Sequence, residues 1–179
     1  MNPEGGGLRR LTQTRGEAAR PDWSPDGKFI YFASNRGGAS EIWRMPAAGG
    51  DAVQITKHGG YTVRAAPDGE WLFYTTSAGY SPVWKIHPDG SGDSAAFSPR
   101  TFGLSMVVTT SALYGVTVTG SPASYSVQSL HFADGKISQI LALDFSPGLG
   151  LSLTPDERYL LLTKPDLKGT DLMLVEGFR

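Results

Sequence analysis

One segment recurs along this chain of 179 residues at a spacing that admits few folds. Trp23-Ser24-Pro25-Asp26-Gly27-Lys28-Phe29-Ile30-Tyr31-Phe32 returns 42 residues later as Ala65-Ala66-Pro67-Asp68-Gly69-Glu70-Trp71-Leu72-Phe73-Tyr74. It returns again, 88 residues further on, as Leu153-Thr154-Pro155-Asp156-Glu157-Arg158-Tyr159-Leu160-Leu161-Leu162. That gap is two periods, and Ser105 to Val116 fills its middle with the Pro-Asp-Gly turn lost. A second marker keeps the same register: Ile42-Trp43-Arg44-Met45, Val83-Trp84-Lys85-Ile86, Val127-Gln128-Ser129-Leu130 and Leu172-Met173-Leu174-Val175. Repetition at roughly 43 residues marks supersecondary units that stack because none can bury its apolar face alone.

The units are made of strands. A helix of average length needs about 11 residues free of Gly and Pro with a 3.6-residue apolar period. The longest such stretches, for example Ala123 to Asp134, alternate apolar and polar instead. In the first unit, extended runs cover Arg20 to Ser24, Lys28 to Ser34, Ser40 to Met45 and Ala52 to Thr56. Between the first two, Pro presets the turn backbone, Asp bonds turn amides and Gly accepts positive φ. Such turns account for much of the 23 Gly and 12 Pro, while 40% hydrophobic residues leave enough to build a core. Four antiparallel strands per period predict an all-β chain, a β-propeller of four-stranded blades. The four repeat units run over 20–57, 61–98, 103–143 and 148–179.

The ends of the chain suggest how such a ring closes. The fourth unit stops at Phe178-Arg179 after its third strand, and Leu8-Arg9-Arg10-Leu11-Thr12-Gln13 matches the fourth-strand pattern Ala52-Val53-Gln54-Ile55-Thr56-Lys57. Residues 8–13 are therefore expected to complete the last blade, removing exposed sheet edges. Closure within one chain makes a four-bladed ring, exchange between two chains makes an eight-bladed homodimer, and a third reading makes the chain the C-terminal part of a longer propeller protein.

Arg20-Pro21-Asp22-Trp23-Ser24-Pro25-Asp26-Gly27-Lys28, followed by Ile30-Tyr31-Phe32, Ser34-Asn35-Arg36 and Glu41-Ile42-Trp43, resembles the TolB-like, WD-repeat-like propeller repeat. The likeness is close in the first unit and good in the second. It weakens in the fourth, where Asp156-Glu157 replaces Asp-Gly, and is poor in the third. The resemblance implies a propeller whose role is binding a protein or peptide partner, without catalysis, in a bacterial cell envelope. Two other propeller roles fit the same repeat: a gating domain beside a peptidase, and a carbohydrate-binding lectin. Met1 to Leu8 lacks the basic and apolar regions of a signal peptide, so periplasm and cytoplasm both stay open.

Chemistry is sparse. A formal net charge of −1 gives no broad basic surface for nucleic acid, and no apolar run approaches the roughly 20 residues of a membrane span. The absence of Cys excludes disulfides and thiolate metal sites. Asp22 to Gly27 opens like a calcium loop, but its twelfth position is Ala33 where a bidentate acid is needed. His58, His87 and His131 have no metal-ligand spacing, and no Gly-x-Ser-x-Gly elbow occurs. No catalytic residue, metal or cofactor is expected. Trp23, Trp43, Trp71 and Trp84 fall at strand positions suited to packing between blades. Counting back from the turns picks out Asp22, Arg64, Met106 and Ser152 on the first strands. Their apolar successors Trp23, Ala65, Val107 and Leu153 read as core, so alternation aims the first set at the channel mouth as a binding surface.

Overall fold

The computed structural model describes residues 7–13, 16–166 and 170–177. Strands β1 (Ala18–Trp23), β2 (Phe29–Gly37), β3 (Ala39–Pro46) and β4 (Val53–Gln54) form an antiparallel meander. The reversal between β1 and β2 follows from its residues. The Ser24 hydroxyl donates to Asp26 Oδ1 at 2.7 Å, and the same oxygen accepts the Lys28 amide at 3.1 Å. Gly27 sits at φ 70°, in the left-handed region that glycine enters without strain. These donors, the Ser24 hydroxyl first and the Lys28 amide next, hold the Asp26 carboxyl down to about 2. Thr154, Asp156 and Arg158 repeat the device in the fourth unit.

The middle of the chain makes one sheet of seven strands: β5 (Thr62–Ala65), β6 (Leu72–Thr75), β7 (Tyr80–Ile86), β8 (Ser94–Val108), β9 (Ala112–Thr119), β10 (Ser124–His131) and β11 (Ile137–Leu143). The 15-residue β8 joins two meanders. Its first part pairs with β7 through Ser94 to Phe102, and its second pairs with β9 through Thr101 to Val108. The outer strand of the second unit thus runs on as the inner strand of the third. A last sheet contains β12 (Leu151–Leu153), β13 (Tyr159–Pro165) and β14 (Thr170–Glu176).

The inner strands β1, β5, the second part of β8, and β12 touch in succession. Among the described residues no comparable contact returns from β12 to β1, so the four meanders form an open arc. Apolar cores fill the three gaps. In the first, Tyr31, Ala33, Ile42 and Ile55 meet Val63, Leu72, Tyr74 and Ile86. In the second, Phe73, Val83 and Phe97 meet Met106 and Leu113. In the third, Tyr114, Val116 and Val127 meet Leu151, Leu160 and Leu162. The second and third meanders are buried on both faces, which is why β6 and β9 read as unbroken apolar runs. We call the face toward the next meander the front and the other the rear.

The connection from the first meander to the second is held by a buried acid. Glu41 accepts from Thr56 Oγ1 at 2.6 Å and from the Gly59 amide at 3.0 Å, while Thr56 Oγ1 accepts the Ile42 amide at 2.8 Å.

The N-terminal segment lies at the rear of the first meander. Residues 8–13 do not pair with the last sheet of their own chain. Leu11 instead packs on Ile30, Phe32 and Met45 at the rear of the first meander, and the Arg9 guanidinium donates to the Ala47 carbonyl at 3.2 Å. That rear face is apolar. Phe178 and Arg179 lie outside the described residues.

Candidate functional site

The turns that follow the inner strands and the turns between third and outer strands lie at one end of each meander, the turn face of the arc. Asp22, Arg64 and Ser152 each stand two residues before the residue that opens the turn. The structure aims them sideways. Asp22, Arg64 and Ser152 lie opposite Tyr31, Phe73 and Leu161, which are front-face residues. Asp22 Oδ2 accepts the Ala65 amide across the first gap at 2.8 Å, and Arg64 Nη1 donates to the Val63 carbonyl at 2.9 Å. Ser152 is exposed. A radial sheet has the two gaps as its faces, so period-two alternation divides residues between gaps.

Met106 is a correction. It is buried in the second gap with Phe73, Val83 and Phe97. The third turn closes with the Thr109 amide donating to the Ala112 carbonyl, a span of three residues; the others span five, from Ser24 to Phe29, Ala66 to Trp71 and Thr154 to Tyr159. With two residues fewer in the turn, the position equivalent to Asp22 is Val107, opposite Tyr114. Trp23 is a second correction. It lies opposite Ile30 on the rear face, at the expected interblade position, yet is 58% exposed, and among the described residues no meander packs on that flank.

What the structure does bring together is a groove that repeats from gap to gap on the turn face. In the first gap, Asp26, Phe29, Tyr31 and Arg44 face Asp68 and Pro88 around about 330 Å³. The Arg44 guanidinium lies 4.8 Å from the Phe29 ring centre and donates to the Pro88 carbonyl at 3.0 Å, bridging the gap. In the second gap the equivalent residues Asp68, Trp71, Phe73 and Lys85 face Thr110 and Phe132 around about 470 Å³. Lys85 Nζ sits 4.2 Å from the Trp71 ring centre, His87 stacks on Trp71 at 3.8 Å, and Phe73 stacks on Phe132 at 5.4 Å. The third gap is closed: Ser111 Oγ and Tyr114 OH both donate to the Glu157 carboxylate, each at 3.0 Å. The sequence signal for these grooves was present in the repeat itself, where an aromatic (Phe29, Trp71) and a cation (Arg44, Lys85) recur in register.

One hydroxyl–imidazole pair lies on β10. The Ser129 hydroxyl lies 3.3 Å from His131 Nε2, but Ser129 is fully buried. Among the described residues no three His, Asp or Glu side chains cluster as metal ligands. No helix in the described chain is long and apolar enough to cross a membrane.

Comparison with known proteins agrees with the geometry. The family model for the TolB beta propeller domain matches residues 1–93. The chain is 35% identical over 97 residues to an uncharacterized protein of Agrobacterium fabrum, covering 54% of this chain and 26% of that protein. It is 33% identical over 79 residues to the Tol-Pal system protein TolB of Francisella tularensis, covering 43% of this chain and 18% of the relative. Among solved structures, TolB from Acinetobacter baumannii superposes with a TM-score of 0.70 at 20% identity, covering 91% of this chain and 41% of that one. An oligogalacturonate lyase in complex with manganese superposes equally well, with a TM-score of 0.70 at 14% identity over 92% of this chain and 53% of the lyase. Likeness at these identities shows the fold alone. The chain spans about a quarter or less of the two relatives and about half or less of the two solved chains.

Proposed function

The chain belongs to the TolB β-propeller family, and we propose that it is a non-enzymatic module binding a protein or peptide across its turn face. One observation carries the reading: two equivalent grooves, each pairing an aromatic wall with a cation, open side by side in the first two gaps. An extended segment laid across them meets Phe29 and Trp71 with apolar side chains and Arg44 and Lys85 with carbonyl or carboxylate oxygens. Aromatic and Arg anchors in partly desolvated pockets supply most of the energy of protein interfaces. On this reading Asp22 and Arg64, opposite the groove residues Tyr31 and Phe73, form the inner margin of the proposed surface, and Ser152 extends it toward the last meander. Membership of the Tol-Pal system, the setting named for the Francisella relative, guides the choice of partner to test.

The test is retention of purified Tol-Pal proteins on the immobilised chain, compared with a Trp71→Ala plus Lys85→Glu variant whose circular dichroism is unchanged. Retention by the wild type and at least tenfold weaker retention by the variant are expected. Equal retention overturns the groove, and no retention of any component overturns the assignment of partner class.

A further inference from the structure

The turn between β5 and β6 departs from its repeats at two positions, and both changes uncover an acid. In the first and fourth turns the aspartate is satisfied within the turn. Asp26 Oδ1 accepts the Ser24 hydroxyl at 2.7 Å, and Asp156 Oδ1 accepts the Thr154 hydroxyl at 2.6 Å. The second turn has Ala66 where those hydroxyls stand, and among the described residues the Asp68 carboxylate accepts only the Glu70 amide, at 2.9 Å. The residue two after the aspartate differs as well. It is Lys28 in the first turn, with Nζ 3.1 Å from the Asp26 carboxylate, and Arg158 in the fourth. In the second turn it is Glu70. Where its repeats set an acid beside a base, this turn presents Asp68 and Glu70 together. Both are exposed, and among the described residues neither makes an ion pair.

That turn is also the crest between the two grooves. Asp68 lines both of them, and Ala66 and Glu70 line the second along with Trp71 and Phe132. The crest is held in place from below: the Glu70 carbonyl lies 2.8 Å from His87 Nδ1, and the His87 ring stacks on Trp71 at 3.8 Å. The groove cations Arg44 and Lys85 stand on the third strands, β3 and β7, away from the inner edge. Each groove therefore has a polarity, with acid at the turn and base further out. Folding does not require the acids. The first turn reaches the same backbone, with Gly27 at φ 70° against Gly69 at φ 77°, using Ser24 and Lys28.

We propose that Asp68 and Glu70 receive a basic side chain, Lys or Arg, of the partner segment, beside an apolar residue seated between Trp71 and Phe132. The inference rests on reading the grooves as a peptide surface, and it adds the charge pattern that surface selects: a base next to an apolar anchor. Hydrogen bonds from a cation to a carboxylate are stronger than neutral ones and fix the direction of the segment. Lys85 is left to meet the backbone carbonyls of the same segment. An acidic residue in that place is repelled by the pair, which is how the surface rejects a wrong partner.

The test uses three acetylated and amidated tripeptides, Phe-Lys-Phe, Phe-Gln-Phe and Phe-Glu-Phe, titrated into the isotope-labelled chain. Binding is read from the nuclear magnetic resonance signal of the Trp71 indole, assigned with Trp71→Phe. The wild type is expected to bind the lysine peptide about fivefold tighter than the glutamine peptide, the scale of one or two exposed ion pairs. The glutamate peptide should bind most weakly, and the preference should shrink as salt rises from about 20 to about 500 mM. Asp68→Asn plus Glu70→Gln should bind the lysine and glutamine peptides equally. Ala66→Ser plus Glu70→Lys writes the first turn into the second and should lose the lysine preference with an unchanged far-ultraviolet spectrum. A wild type without that preference, or a preference that survives in either variant, overturns the proposal and leaves the grooves standing. No response of Trp71 to any of the three peptides overturns the peptide surface, and the proposal with it.

Discussion

The Asp22 carboxylate accepts a hydrogen bond from the Ala65 amide, 2.8 Å away and one repeat further along the chain. It is a bond between meanders, made at the turn-side end of the inner strands, where a rigid surface has to be held.

Asp22→Ala leaves a half-buried amide without its acceptor, and a hydrogen bond to a charged group contributes about 1.5–3 kcal/mol. We expect Asp22→Ala to lose stability in that range by urea titration and Asp22→Asn, which keeps an acceptor oxygen, to lose clearly less. Equal losses would show that charge rather than the bond matters.

Glu41 bonds Thr56 and Gly59 at once and is almost wholly buried. Glu41→Ala therefore strips partners from a buried hydroxyl and an amide together, and a loss of about 2–4 kcal/mol is expected. Thr56→Val, which leaves the carboxylate its Gly59 amide, should cost less. Denaturation midpoints of the two variants check the order.

Gly60 allows a close approach of two meanders. A Cβ there would lie 2.5 Å from the Ile42 nitrogen and 2.8 Å from the Glu41 carbonyl carbon, both backbone atoms. Gly60→Ala is expected to destabilise by about 1–3 kcal/mol. Gly79→Ala, whose added methyl meets nothing within 4 Å, should leave the thermal midpoint within about a degree of the parent.

The turn acids set a pH limit. The Ser24 hydroxyl and Lys28 amide hold Asp26 down to about 2, and the Thr154 hydroxyl and Arg158 amide lower Asp156 likewise. A folded-state pKa below the unfolded value gives stability that is full above the ordinary carboxylate range and is lost as protons are added. Urea midpoints should therefore fall as pH drops from about 4 toward 2, and Ser24→Ala should flatten that fall. An unchanged slope in Ser24→Ala would remove the hydroxyl as the cause.

Most of the architecture was legible because its signals are local and repeated. Pro25-Asp26 and Pro67-Asp68 announce turns whose bonds depend on residues within five positions, and Ile42 and Val83 recur in phase with them. The site was legible only in part. Asp22 and Arg64 were singled out, but strand alternation places a side chain on a face without saying that the face of a radial sheet is a gap. Met106 was misplaced for a narrower reason: the third turn had lost the landmark used for counting, and a slip of one residue exchanges the faces. Trp23 and Leu11 depend on what stands at the open ends of the arc, which no pattern within one repeat can encode.

The continuity of β8 has a mechanical consequence. Successive meanders usually meet through a loop, a place where a protease cuts or a force lets one unit peel from the next. Between the second and third units there is only an unbroken strand, hydrogen-bonded to β7 along one stretch and to β9 along the next. Those two units must open together or not at all. In hydrogen exchange the amides from β5 to β11 should share one protection limit, and under limited proteolysis 62–143 should survive as a single resistant block while both ends of the arc are trimmed away.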